Sequence, residues 1–409
     1  MVHAPGPLIT SFAMLAAHPC AVCLSSPREE PLNRTRILMT AEPTSGVWAY
    51  AMQLIGALNA WGCDVTLATV SGTLQPDQCR AATQLPNLTL CESASLLEWV
   101  ENPKQLVAQA GSWLLELARR VQPDVVHLNH YAHGALPWPA PVLMVGHSCL
   151  IACQEAIRGK AVKLPAYRRC VREALGAADM VVAPTQTLLA SLVDRYGPLS
   201  ATEVIGYGRE RKDFVPVVKE NLILAVGRLG DESKNIKLLE ACAPHLTWPI
   251  HVAGEEPARA WPIVPHLHAL GQLATADLAD QYARAAIYVL PARYEPFGLS
   301  VLEAALSGCA LVLGDIASLR EVWQDAALYI PPDDAGALTA ALASLIAEPE
   351  LRHALATSAR KRAEHFTSER MGAAYWHVYR RLLDKNSIKN GVNELDEGIQ
   401  GVMRLLPCA

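Results

Sequence analysis

The residues best suited to chemistry lie in two short segments. The first is Arg293-Tyr294-Glu295-Pro296-Phe297-Gly298-Leu299-Ser300-Val301-Leu302-Glu303, which carries two carboxylates with seven residues between them. Pro296 forbids regular helix ahead of it, and Gly298 frees the backbone to turn. A helix is therefore expected from about Leu299 to Ser307, with Gly308 as its stop. Glu295 then sits in a loop and Glu303 about one turn into the helix. The amides of Phe297, Gly298 and Leu299 are expected free at the helix N-terminus, where donors and dipole favour anions or hydroxyl oxygens. A carboxylate beside them can accept two sugar hydroxyls, and one further along can accept a ribose diol. In the plainer reading Glu295 balances the helix dipole and Glu303 is a solvated surface charge. The glutamates alone leave both readings open.

The second segment is Val226-Gly227-Arg228-Leu229-Gly230-Asp231-Glu232-Ser233-Lys234-Asn235. Its glycines let a loop approach a ligand, and Arg228 and Lys234 supply two cations. A diphosphate leaving group gathers negative charge as its bond breaks, so fixed cations there stabilise the transition state more than the ground state. Taken alone, the segment is also simply a polar loop with two solvated cations. It lacks the GxxxxGK[ST] of a triphosphate loop, which disfavours an ATPase.

Both segments follow short apolar runs, and such runs alternate with helical periodicity along most of the chain. Strands are expected at 36–40, 64–69, 124–128, 142–145, 180–183 and 202–205, with helices at 48–61, 103–120, 166–176 and 186–196. A second series places strands at 222–226, 250–253, 268–270, 287–290 and 310–313, then helices at 335–347, 351–365 and 368–383. The fold class is α/β, two Rossmann-like doubly wound halves facing a central cleft at the carboxyl ends of both sheets. The expected organisation is a disordered extension over 1–33, an amino-terminal half over 34–205 and a linker over 206–216. A carboxyl-terminal half over 217–367, a last helix over 368–385 and a mobile tail over 386–409 complete it. The aromatic stripe Tyr375, Trp376 and Tyr379 is expected to pack, and Asp315–Glu321 to border the cleft without a catalytic role.

Composition agrees with a folded two-domain protein. The 409 residues are 51% hydrophobic and 18% charged, against disorder over most of the length. A net charge of −5 gives no overall electrostatic footprint for nucleic acid or an anionic bilayer, local clusters aside. Cys20 and Cys23 form one CxxC without a second pair at zinc spacing, and the remaining cysteines are scattered. Free thiols in a reducing cytoplasm are expected. Leu8–Ser26 is apolar but lacks a preceding Lys or Arg and is interrupted by His18 and Pro19, so neither signal peptide nor spanning helix is expected.

Together the two segments resemble the retaining glycosyltransferases of family 4, the group 1 glycosyl transferases of GT-B fold. Glycogen, sucrose and sucrose-phosphate synthases are similar at greater distance. The resemblance runs from Arg36 to about Leu383 and is strongest from Leu222 to Pro332. It implies a metal-independent hexosyltransferase without cofactor, which moves a hexose with retention from a nucleoside-diphosphate sugar to an acceptor of unidentified kind. It further implies that Glu295 holds the donor sugar with backbone at Phe297, Gly298 and Leu299, that Glu303 binds ribose, and that Arg228 and Lys234 neutralise the diphosphate. Departure against these cations and front-face attack would need no side-chain base. The last helix would cross back onto the first half. In the amino-terminal half Gly46 and Val47 match the family's first loop, with Ser45 where a second glycine is usual. Asp124-Val125-Val126-His127-Leu128-Asn129-His130 is similar to a strand ending in His-x-His, with Asn129 where the second histidine often falls, and the resemblance implies Asn129 and His130 beside the acceptor and diphosphate. By residue type alone, His127 is a core histidine and His130 a surface one. Gly146-His147-Ser148 resembles a loop of the sucrose-phosphate synthase relatives and makes His147 the preferred active-site histidine. Tyr207 replaces an asparagine common between the halves. A nucleotide-sugar epimerase of the same shape, or a degenerate nucleotide-sugar binder, is the alternative. Nucleic acid is not an expected partner, peripheral membrane contact is compatible, and the sequence leaves oligomeric state open.

Overall fold

Thr35–Ala41 is buried along its last five residues, so both of its faces must be covered. In the computed structural model, which describes residues 23–24, 34–43, 46–70, 74–93, 103–255 and 263–403, this segment is strand β2 at the middle of a parallel sheet. The sheet also contains β1 (Cys23–Leu24), β3 (Cys63–Thr69), β4 (Leu88–Glu92), β5 (Val125–Leu128), β6 (Val142–Val145), β7 (Met180–Ala183) and β8 (Thr202–Val204). Their order is β1-β4-β3-β2-β5-β6-β7-β8, parallel except where β1 runs antiparallel to β4. Helices α1 (Gly46–Leu58), α2 (Pro76–Thr83), α3 (Pro103–Val121), α4 (Leu150–Arg158), α5 (Pro165–Ala177) and α6 (Gln186–Tyr196) make the connections.

A second parallel sheet comprises β9 (Glu220–Val226), β10 (Ile250–Ala253), β11 (Leu267–Gly271), β12 (Ala285–Leu290), β13 (Ala310–Gly314) and β14 (Leu328–Ile330). Its order is β11-β10-β9-β12-β13-β14. Helices α7 (Leu238–Cys242), α8 (Thr275–Arg284), α9 (Leu299–Leu306), α10 (Ala317–Trp323), α11 (Ala335–Ala347) and α12 (Pro349–Ala363) cover it. In both sheets the chain steps outward on one side and then returns to the other. The switch points fall between β2 and β5 and between β9 and β12, where crevices open at the strand ends.

The last helix, α13 (Ser368–Met403), returns to the first half and lies on α1. Contact is close at Gly372, where a Cβ would stand 2.7 Å from that of Ala57. Trp376 stacks on Trp61 with centroids 6.2 Å apart, and Tyr375 and Tyr379 are fully buried, so the aromatic stripe packs as expected.

Several expectations need correction. Within 1–33, Cys23–Leu24 pairs with the sheet edge at Cys91 and Leu90. The remainder of that extension lies outside the described residues. The tail expected from residue 386 continues α13 to Met403, for no proline interrupts the chain before Pro407. Helices α2, α4 and α10 and strands β4 and β14 were not expected. Of these, α4 buries only Ile151, because its apolar positions Leu150, Cys153 and Ile157 face the cleft and not the core. Ser45 lies outside the described residues.

Candidate active site

Four strand ends at the two switch points deliver the chemistry. Past β2 comes Gly46, past β5 Asn129 and His130, past β9 Gly227 and Arg228, and past β12 Glu295. These loops face one another across a cleft of about 1530 Å³. Its walls include Gly46, Val47, Asn129, His130 and His147 from the first half, and Arg228, Lys234, Glu295, Leu299 and Glu303 from the second.

The two loops of the second half are fixed in register. The Ser233 carbonyl accepts the amides of Arg293 (2.9 Å) and Tyr294 (3.2 Å), which ties the cation loop to the Glu295 loop. Asn235 donates to the Pro291 carbonyl at 3.1 Å. Glu295 is 8% exposed; its Oε1 accepts the amides of Gly298 (3.0 Å) and Phe297 (3.4 Å), and its Oε2 pairs with Lys234. Gly298 holds φ +90°, a conformation strained for any side-chain-bearing residue. Arg228 reaches Asp231 at 3.1 Å. Burial opposes ionisation of Asp231, but hydrogen bonds from Ser233 and Arg228 outweigh it and hold its carboxyl below the usual range.

Glu303 is not a solvated surface charge. Its Oε1 meets Arg209 Nε at 2.8 Å, with only 5% of the arginine and 14% of the glutamate side chain exposed. Arg209 also donates to the Ala49 carbonyl on α1 at 3.2 Å. This pair joins the interdomain segment, the first half and the second half at one edge of the cleft.

The histidines form two hydrogen-bonded chains whose proton positions follow from their ends. Asn129 Nδ2 donates to the Thr40 carbonyl at 2.7 Å, so its Oδ1 must be the acceptor for His147 Nε2 (2.7 Å) and His127 Nε2 (3.2 Å). Both rings are therefore Nε2–H tautomers, and their Nδ1 atoms accept from Tyr207 OH (2.6 Å) and Tyr379 OH (2.7 Å). Burial pushes both phenols upward, which keeps them protonated as donors. In the second chain His133 Nε2 donates to the Val107 carbonyl (3.0 Å), His130 Nε2 donates to His133 Nδ1 (2.8 Å), and Thr40 Oγ1 donates to His130 Nδ1 (3.2 Å). Burial lowers His127, His130 and His147 to about 3, assisted at His130 by His133 and at His147 by His127 and His130. These histidines are neutral, with both nitrogens engaged.

Most of the anticipated residues thus converge on one cleft. Phe297 and Gly298 do not line it. The Phe297 ring is 1% exposed and packs on Tyr207 (4.9 Å) and Phe366 (5.3 Å). The amides of Phe297 and Gly298, expected free, are taken by Glu295, which leaves the first helical amides at Leu299 and Ser300 without an intrahelical acceptor. His130, expected at the surface, is half-buried in the cleft wall, whereas His127 is fully buried as expected. Arg209 and Tyr294 were not anticipated. Tyr294 OH accepts the Cys149 amide at 2.8 Å across the cleft, and neither residue has a local signal because its partner lies far away in sequence.

Comparison with known proteins bears on the family and the fold. The family model for glycosyl transferases group 1 matches residues 208–362, and that for the glycosyl transferase 4-like domain matches 45–208. The phosphatidyl-myo-inositol mannosyltransferase of Mycolicibacterium smegmatis is 30% identical over 250 residues, 58% of this chain and 61% of its own length. A glycogen synthase of Mycobacterium tuberculosis is 28% identical over 318 residues, 69% of this chain and 75% of its own. Among solved structures, sucrose-phosphate synthase from Thermosynechococcus elongatus superposes with a TM-score of 0.72 at 20% identity, covering 86% of this chain and 100% of that one. HepE from Anabaena, in complex with UDP and glucose, gives 0.66 at 14%, covering 85% and 100%. Both share the fold.

Proposed function

This chain belongs to the family 4 glycosyltransferases of two-domain GT-B type, and we propose that it moves a hexose, with retention of anomeric configuration, from a nucleoside-diphosphate sugar to an acceptor hydroxyl. The observation that carries the proposal is the convergence of Arg228, Lys234, Glu295 and Glu303 on one cleft whose other wall holds Gly46, Asn129 and His147.

In this reading the diphosphate lies against Arg228 and Lys234. Lys234 exchanges its Glu295 partner for phosphate oxygen, which frees Glu295 Oε2 for sugar hydroxyls while Oε1 stays anchored on the Gly298 amide. The amides of Leu299 and Ser300 offer further donors at the helix N-terminus. Glu303, steadied by Arg209, takes the ribose diol. As the glycosidic bond lengthens, negative charge grows on the leaving phosphate and the two cations stabilise it. The acceptor attacks from the same face and its proton passes to that phosphate. With both nitrogens engaged, His147 serves as a wall that orients the sugar and not as a base. Arg228 and Lys234 supply the countercharge, so the proposed reaction needs no metal. HepE, whose fold is similar, binds UDP and glucose, and this supports a nucleotide-sugar donor here.

Product analysis by NMR tests the stereochemistry. A retained anomeric configuration, formed at equal rate in chelator, is expected, and an inverted product would refute the mechanism. Donor turnover without any acceptor would instead point to the epimerase.

A further inference from the structure

Among the described residues Arg209 is the one arginine or lysine that is buried, and this residue type is almost never fully buried unless paired. Its neighbours Arg211 and Lys212 on the same segment are exposed. The backbone holds Arg209 in place. Its amide donates to the Phe366 carbonyl at 3.1 Å, and it pairs with Thr367 just ahead of α13. The side chain borders the cleft together with Ala49, Tyr282, Ser300 and Glu303. There Nε donates to Glu303 Oε1 at 2.8 Å and Nη1 to the Ala49 carbonyl at 3.2 Å.

Burying two charges costs free energy that their attraction need not recover, so the pair is a weak source of stability. What it does fix is geometry. Two bonds from separate nitrogens hold the planar guanidinium, and the guanidinium holds the carboxylate against rotation. A carboxylate offers roughly four lone-pair sites, of which Nε takes one. The Tyr282 hydroxyl of α8 stands beside it, kept protonated by burial and by the charge of Glu303. Room remains for the two hydroxyls of a vicinal diol.

We infer that Arg209 is the positioning residue that makes Glu303 a reader of the ribose 2′-hydroxyl. The Arg209–Glu303 pair, and not Glu303 alone, then sets selectivity for ribonucleoside over deoxyribonucleoside diphosphates. This inference rests on the glycosyl-transfer reading, in which Glu303 meets the ribose. A ligand without the 2′-hydroxyl leaves a fixed, buried carboxylate oxygen without its donor, and a site of this kind rejects the analogue strongly. A carboxylate free to turn finds another partner and rejects it weakly.

The test is calorimetric titration of the full chain with UDP, GDP and ADP, each beside its 2′-deoxy counterpart. The ribonucleotide that binds should do so about tenfold or more tighter than its deoxy form. Arg209→Met keeps an apolar stem and removes the charge. It should bind both forms through Arg228 and Lys234, with nearly equal affinity. Arg209→Gln, which keeps one amide donor without the charge, gives the same reading if the methionine variant does not fold. A selectivity ratio unchanged in the variant, with both ligands weakened alike, would overturn the inference and leave Arg209 a structural residue. So would a wild-type protein that binds both forms equally while still binding nucleotide. Binding of none of these nucleotides by the wild type would refute the donor-site reading, and the inference with it.

Discussion

A histidine whose two nitrogens are both engaged is held neither as acid nor as base, and that is the condition of His147. Its Nε2–H is fixed by Asn129 Oδ1 and its Nδ1 by the Tyr207 hydroxyl. Nitrogen-15 NMR should therefore show His147 as the Nε2–H tautomer, without titration, from about pH 8 to 5. Asn129→Asp places a carboxylate between His147 and His127 and should raise their pKa values, which would appear as a new acid limb in the pH profile of kcat. A wild-type His147 that titrates near about 6.5 would contradict the assigned network. The two glutamates and two cations were legible in the sequence through the family resemblance of the two segments taken together, since glycines and strand ends alone left a plainer reading open. Arg209 and Tyr294 were not legible. Glu303 lies 94 positions from Arg209, so only the fold reveals that the charge is paired. Tyr207, visible only as a departure from a family pattern, acquires a physical role as the donor to His147.

Elements hold the two halves in register. The amides of Gln186 and Thr187 at the start of α6 donate to Glu321 of α10 at 2.7 and 2.8 Å, and Thr187 Oγ1 adds a bond of 2.6 Å. Thr185 Oγ1 donates to the Pro296 carbonyl at 3.0 Å, next to Glu295. A carboxylate of one half thus satisfies a helix N-terminus of the other. Glu321→Ala should lower stability by about 1–2 kcal/mol, the usual cost of a lost N-terminal cap, and weaken donor binding by letting the halves part. Thermal unfolding and donor KM measure both effects, and unchanged values would show that the clasp contributes nothing. Asp315–Glu321 was expected to border the cleft, but none of these residues lines it; Glu321 instead meets amides of the other half, which lie far away in sequence. Most of the parallel strands were legible as short apolar runs, although β4 and β14 were not. Helix α4 was not, since its regular face looks into the cleft and not into the core.

At the scale of the whole molecule, α13 and the buried histidines bind the halves into one titrating unit. Tyr379 on α13 donates to His127 beneath the cleft. His127, His130 and His147 fall to about 3 in the fold, from about 6.5 in an unfolded chain. Because the folded values are the lower ones, the unfolded chain takes up more protons as pH falls. The stabilisation is complete above about pH 6.5 and is lost progressively toward about pH 3. For the fully buried His127 the slope is about 1.4 kcal/mol per pH unit. A melting temperature that falls between about pH 6.5 and 5, where few carboxylates titrate, is expected; a flat profile there would contradict neutral burial. The central claim, that one cleft gathers two cations and two carboxylates around a nucleotide-sugar, is tested most directly by calorimetric titration of UDP-, GDP- and ADP-sugars. One of these donors should bind the wild-type protein at one site, and Lys234→Ala should weaken it about tenfold or more. Binding of none of the three, or equal binding by the Lys234→Ala variant, would contradict the claim.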